Sequence, residues 1–185
     1  MDLYIDTHLD DVIIILFKEN KVYKEKIISN EKQNSKLIMP TIKKVLGKNK
    51  PDSIIVCNGP GSFTGVRLGV TIAKTLATTL QIPIRSISNL ETMALCLEDN
   101  VDKIVAINDK NGYYVGIFDN DLKLVGNYEY LSNNEFAEYN KKHPVYTNID
   151  LDYNKIYSYA MTKLDINPHE VNPIYIKKID VEKWF

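Results

Sequence analysis

Cysteine is scarce in this chain: only Cys57 and Cys96 occur in 185 residues. Two cysteines in apolar surroundings cannot build a disulfide framework, so the cytosol is the expected location. Long hydrophobic runs are missing too. None approaches the ~20 residues of a membrane span, and no leader-like segment opens the chain, so no membrane association is expected. Neither sign of charge prevails; the net charge is −1, and no global field draws the chain to nucleic acid or lipid. Histidine is limited to His8, His143 and His169, all in expected loops. None has the His-x-x-x-His spacing that sets two metal ligands on one helix face, so no metal site is expected. The Gly-x-Ser-x-Gly nucleophile elbow and the Gly-Lys-Ser/Thr of a P-loop are absent as well.

What remains is an ordinary globular composition, 44% hydrophobic and 25% charged, long enough for one large domain or two small lobes. Half of the eight glycines, Gly59, Gly61, Gly65 and Gly69, gather in one stretch. Before it, Ser53 to Cys57 is a short apolar run read as a buried strand; after it, residues 66–80 keep helical periodicity. On that helix Arg67, Thr71, Lys74, Thr75 and Thr78 share one arc, while Val66, Gly69, Val70, Ala73, Leu76, Ala77 and Leu80 share the other. A strand, glycine-rich turn and helix could hold a phosphate. The dinucleotide spacing fails, however, because Gly65 lies four residues past Gly61 rather than three. The other reading is a rigid turn, with Ser62 or Thr64 capping the helix and Gly69, Ala73 and Ala77 allowing close packing. The spacing favours it. Gly61 and Gly65 are then expected to hold backbone conformations that alanine tolerates poorly.

The run Gly59-Pro60-Gly61-Ser62-Phe63-Thr64-Gly65-Val66-Arg67 resembles the signature of the TsaB family, also called YeaZ. Ile5-Asp6-Thr7, Leu37-Ile38-Met39-Pro40, Ile87-Ser88-Asn89-Leu90-Glu91-Thr92-Met93-Ala94, Ala106-Ile107-Asn108-Asp109 and Pro173-Ile174-Tyr175-Ile176 agree in order. The likeness is dense over residues 1–118 and thin afterwards. It implies an α/β, actin-like ATPase (ribonuclease-H-like) fold of two lobes, 1–100 and 101–185, the C-terminal one shortened and degenerate. It also implies a non-catalytic scaffold that holds and activates a TsaD-like catalytic subunit during threonylcarbamoyl transfer to adenosine 37 of tRNA. A TsaE-like ATPase and a threonylcarbamoyl-AMP synthase complete the implied pathway, and tRNA is met only indirectly. No cofactor of its own is implied, although ADP or ATP at a subunit junction of the assembled complex is compatible.

In that family the first two helices meet TsaD or, alternatively, a second copy in a homodimer. Here both helices are apolar over more of their circumference than burial on one sheet requires. The implied interface residues are Leu37, Arg67, Leu68, Ile72 and Thr75, with Gly59, Pro60, Gly61, Ser62, Phe63, Thr64 and Gly65 as the structural motif. Loops within the lobe could cover Leu37 and Leu68 instead.

The pattern along the chain agrees with a ribonuclease-H-like order. Residues 2–7, 11–17 and 21–28 read as short strands with a hairpin near Glu19-Asn20. A helix over 35–48 follows, striped by Ile38, Ile42, Val45 and Leu46, with Pro40 near its start and Gly47 and Pro51 closing it. Residues 83–87 read as a strand, and 89–98 as a helix capped by Ser88 or Asn89. In the second half, strands at 104–107 and 113–118 flank Asn111-Gly112, and a third spans 122–130. Helices are expected at 133–142 and 154–163, with a strand at 144–147 between them.

Two further readings compete with a scaffold. A small actin-fold ATPase or kinase-like enzyme would use Asp6 and Asp109 to serve a metal, yet Asp6 is followed by Thr7-His8-Leu9 rather than a glycine loop. Gly112 lies three places after Asp109, one too far for a second Asp-x-Gly loop. Both carboxylates then simply end strands. A self-associating structural protein is the third reading. The ten lysines between Lys18 and Lys50 form either a basic face for tRNA or, in the absence of interleaved aromatics other than Tyr23, a solvated surface.

Overall fold

The computed structural model describes residues 1–8, 11–29, 34–98 and 102–176. Strands β1 (Asp2–Asp6), β2 (Val12–Lys18), β3 (Lys21–Ile28), β4 (Ser53–Cys57) and β5 (Ile84–Ile87) form one sheet in the order β3-β2-β1-β4-β5. The first three are antiparallel neighbours, whereas β4 and β5 run parallel to β1. The central strands are apolar without alternation because both of their faces are covered. Leu3, Ile5, Ile14 and Leu16 face helices α1 (Asn34–Leu46) and α2 (Phe63–Leu80). Tyr4, Ile15, Phe17 and Ile55 face α3 (Asn89–Cys96) and α5 (Tyr153–Ala160).

The helix α1 buries Ile38, Ile42 and Val45 as its periodicity requires, and Gly47 ends it with φ of 61°. Pro40 lies inside this helix rather than near its start, because the helix already begins at Asn34. Its ring is exposed, so the lost N–H costs a hydrogen bond but no packing.

A second sheet has the order β8-β7-β6-β9, from β6 (Lys103–Asp109), β7 (Gly112–Phe118), β8 (Glu129–Ser132) and β9 (Val145–Tyr146). Asp109 pairs with Gly112 across the expected tight turn. The strand expected over 122–130 is confined to Glu129–Ser132. The Asp119 carboxylate accepts from the N–H groups of Asp121 and Lys123, and Leu122 takes φ of 60°, so the chain turns where a strand was expected. Helix α3 packs one face of this sheet through Leu90, Met93 and Ala94, and α4 (Asn133–Asn140) packs the other through Phe136.

The expected lobe boundary near Asn100 lies outside the described residues. Late segments return to the first sheet: Ile156, Tyr157 and Ala160 of α5 join its core, with Tyr157 stacked on Phe17 at 4.4 Å. Ile166 bridges to Ile84 on the β5 edge, and Val171 is buried beside α2. Among the described residues no helix is long and apolar enough to cross a membrane.

Candidate functional site

The glycine-rich turn joins β4 to α2, and its inner side is filled by the chain itself. Ser62 caps α2 by accepting from the N–H of Gly65, while its own N–H donates to the His8 carbonyl at 2.6 Å. Thr7 Oγ1 donates to the Gly65 carbonyl at 2.7 Å. A Cβ on Gly61 or Gly65 would lie under 3.0 Å from the carbonyl oxygens of His8 and Thr7, and one on Gly69 would meet Thr7 Oγ1. Gly61 and Gly65 do not have positive φ; only Gly59 of this motif does, at 98°. Close approach of the β1–β2 connection, not backbone conformation, is what requires them.

Asp6 ends β1 and is fully buried. Its carboxylate takes the His8 N–H at 3.1 Å, His8 Nδ1 at 2.7 Å and Asn89 Nδ2 at 3.2 Å. A carboxylate only accepts, so the Nδ1 proton points at Asp6, and the Asn89 amide lies 2.7 Å from the same ring nitrogen. Burial pushes the Asp6 carboxyl up, but the His8 ring and the hydrogen bonds from His8 and Asn89 outweigh it and hold the group below the usual range. Beside this cluster an open cleft of about 730 Å³ lies between the two sheets, with His8, Asn89, Asn108 and Tyr153 in its walls. Neither Asp6 nor Asp109 lines it. Asp109 instead accepts from Tyr130 OH at 3.2 Å. No group of three or more His, Cys, Asp or Glu among the described residues could hold a metal ion.

On the outer side of α2, Arg67 and Thr75 are exposed. The Arg67 guanidinium lies 3.5 Å from the Phe63 ring centroid, and its Nε donates to Tyr175 OH at 2.7 Å. Thr75 Oγ1 donates to the Thr71 carbonyl. Leu37, Leu68 and Ile72 are half-buried, and Leu68 and Ile72 pack against the core between sheet and helices. The large apolar residues most exposed on the two helices are Met39, Phe63 and Leu80.

The family model described as "TsaD: tRNA N6-adenosine threonylcarbamoyltransferase" matches residues 21–108, which include α1, the glycine turn, α2 and α3. A Bacillus subtilis protein described as "tRNA threonylcarbamoyladenosine biosynthesis protein TsaB" is 43% identical over 97 residues, 50% of this chain and 42% of that one. Over these stretches the chain is similar to the TsaB/YeaZ family. A TsaB from Buchnera aphidicola (Schizaphis graminum) is 34% identical over 119 residues, 60% of this chain and 56% of that one. The chain thus spans about half the length of these curated TsaB relatives. YeaZ from Pseudomonas aeruginosa superposes with a TM-score of 0.75 at 18% identity, over 95% of this chain and 99% of that one. The fold is that actin-like, ribonuclease-H-like one.

The structure draws together residues that the sequence pattern left apart. Tyr175 meets Arg67 and Phe63 from a distance of more than 100 positions, and His8 and Asn89 meet at Asp6. Ser88-x-x-Glu91 was a readable cap signal pointing at Asn89. Tyr175 is marked in the sequence by the Pro173-Ile174-Tyr175-Ile176 resemblance alone, with nothing local that pairs it with Arg67.

Proposed function

We propose that this chain serves tRNA threonylcarbamoyladenosine biosynthesis as a non-catalytic subunit, presenting the outer sides of α1 and α2 to a TsaD-like catalytic partner. The observation that carries this reading is the filled glycine turn. Its Ser62 and Gly65 N–H groups are spent on His8 and Ser62, and Thr7 and His8 occupy the space that a phosphate would need. Asp6, the carboxylate that an ATPase would offer to a metal, is spent on His8 and Asn89. The family match over both helices supplies the partner class. The same helix faces serve a homodimer when the partner is absent. A TsaE-like ATPase and any nucleotide belong, in this reading, to the assembled complex.

The test is depletion of the protein followed by mass spectrometry of nucleosides from total tRNA. Loss of threonylcarbamoyladenosine is expected, and restoration by the wild-type gene but not by Thr75→Glu. Thr75 is exposed, so the change leaves the fold intact while burying an unpaired charge in any contact over α2. Unchanged modification after depletion overturns the role. Full rescue by Thr75→Glu moves the contact away from this helix.

A further inference from the structure

Lysines that the sequence spreads from Lys18 to Lys48 meet where the edge strand β3 passes the end of α1. Lys18 and Lys21 stand directly opposite each other across the β2–β3 ladder. Like charges so paired destabilise a sheet. Glu19 lies 3.8 Å from Lys18, and Lys21 has no such partner among the described residues. Further along β3 the pairing skips Tyr23, since Val22 pairs with Phe17 and Lys24 with Leu16. Such a bulge re-aims the side chain it leaves unpaired. The Tyr23 ring is 49% exposed, and two ammonium groups lie over it, Lys18 Nζ at 5.8 Å and Lys24 Nζ at 5.5 Å from its centroid. Lys24 also reaches α1: its Nζ is 3.8 Å from where a Cβ on Gly47 would stand. That helix end carries Lys43 and Lys44 in its last turn and Lys48 just past it. A helix C-terminus offers roughly half a negative charge, too little to balance them. Helix α1 contains no Asp or Glu, and Lys24, Lys43, Lys44 and Lys48 are exposed with no ion pair among the described residues. The pleat sends Glu25 the other way: it pairs with Ile15 on the α5 side of the sheet, whereas Leu16 and Lys24 share the α1 side.

From this arrangement we propose that the corner between β3 and α1 binds RNA, with the lysines on backbone phosphates and Tyr23 stacked on an unpaired base. A bound phosphate chain relieves the repulsion between Lys18 and Lys21, and an exposed ring among cations is the combination that holds single-stranded segments. A membrane surface would call for apolar anchors instead; in β3 the exposed neighbours of Tyr23 are Lys21 and Lys24. The proposal rests on the function proposed above only in naming the RNA as tRNA.

The probe is a fluorescently labelled, unmodified tRNA transcript, titrated with the full chain at about 50 mM salt and followed by anisotropy. Saturable binding is expected, weakening as salt rises. Lys24→Gln combined with Lys48→Gln is expected to weaken it at least tenfold and to lower the salt slope by roughly one per lysine. Tyr23→Ala is expected to weaken it about fivefold or more with the slope unchanged, as lost stacking requires. Lys141→Gln combined with Lys142→Gln, at the end of the remote helix α4, removes the same charge and leaves binding unchanged. Lys21→Gln relieves the like-charge pair, so its melting temperature is expected not to fall while its affinity does. Melting temperatures of the other variants, measured without RNA, confirm that the fold is retained. Three results overturn the proposal: no saturable binding at that salt, equal weakening by the α4 pair, or binding of anionic phospholipid vesicles that needs the same lysines and that tRNA does not displace. If depletion still removes threonylcarbamoyladenosine when any of these is found, the pathway role stands and the RNA contact alone is lost.

Discussion

Thr7 and His8 decide what the glycines of the β4–α2 turn can be replaced by. In an ordinary helix Gly→Ala stabilises by roughly 1 kcal/mol. At Gly65 the added carbon meets a backbone carbonyl, which cannot rotate away, so Gly65→Ala is expected to destabilise by about 1–3 kcal/mol. At Gly69 the obstacle is a hydroxyl. Thr7→Ala is therefore expected to rescue Gly69→Ala but not Gly65→Ala, and urea midpoints of the single and double variants show this directly. Equal rescue of both would remove the distinction between backbone and side-chain obstruction. The sequence displayed the glycines but not their cause, since the obstructing atoms come from a loop more than 50 positions earlier. Asp6 is a second case. Its pKa is lowered on folding, so its contribution is present above the unfolded value of about 3.9 and is lost as pH falls through the lower folded value. Asp6→Asn is expected to flatten the acid limb of the stability profile below about pH 4. An acid limb of unchanged slope would exclude Asp6 as its source.

Helix α3 shows how an element is held at both ends by different kinds of information. At its start Ser88 and Glu91 form a capping box, visible in the sequence as Ser-x-x-Glu before an apolar run. Glu91 also accepts from Tyr159 OH at 2.7 Å and Lys163 Nζ at 2.8 Å, which ties α3 to α5. Glu91→Ala removes cap and tie together and is expected to cost about 2 kcal/mol, with Glu91→Gln losing less because it keeps the cap. Denaturant midpoints at constant slope measure both, and indistinguishable losses would show that the cap carries little. At the other end the buried Lys103 donates to the Ala94 and Leu97 carbonyls. A lysine read from pattern alone belongs to solvent, and only tertiary structure turns it into a helix terminator. Strands were legible where burial on both faces produced continuous apolar runs, as in β2 and β4. The segment 122–128 was not, because Asp119 folds the backbone by a side-chain bond that period counting does not see.

The whole molecule stacks α1 and α2, the first sheet, α3 with α5, the second sheet and α4 into one sequence of layers. Helix α5 sits in the middle of this stack, although it follows both sheets in the chain. Tyr157→Ala removes the ring stacked on Phe17 and the bond from Tyr157 OH to Asp2, at an expected cost of about 3–5 kcal/mol. Far-ultraviolet circular dichroism and tyrosine fluorescence are expected to report a single coincident transition at a lower temperature. Two separated transitions would show that the sheets unfold independently. The order of layers was not legible, because α5 carries no local mark of which sheet it covers. A similar return of late chain secures α2: Lys74 donates to the carbonyls of His169 and Val171, and Ile174 donates to Asn58. During translation these residues leave the ribosome well after α2 itself, by several seconds at about 5–20 residues per second. Throughout that interval the flank of α2 lacks Val171 and its lysine lacks both carbonyls. Any contact made through the braced flank of α2 therefore has to wait until synthesis has passed Ile174.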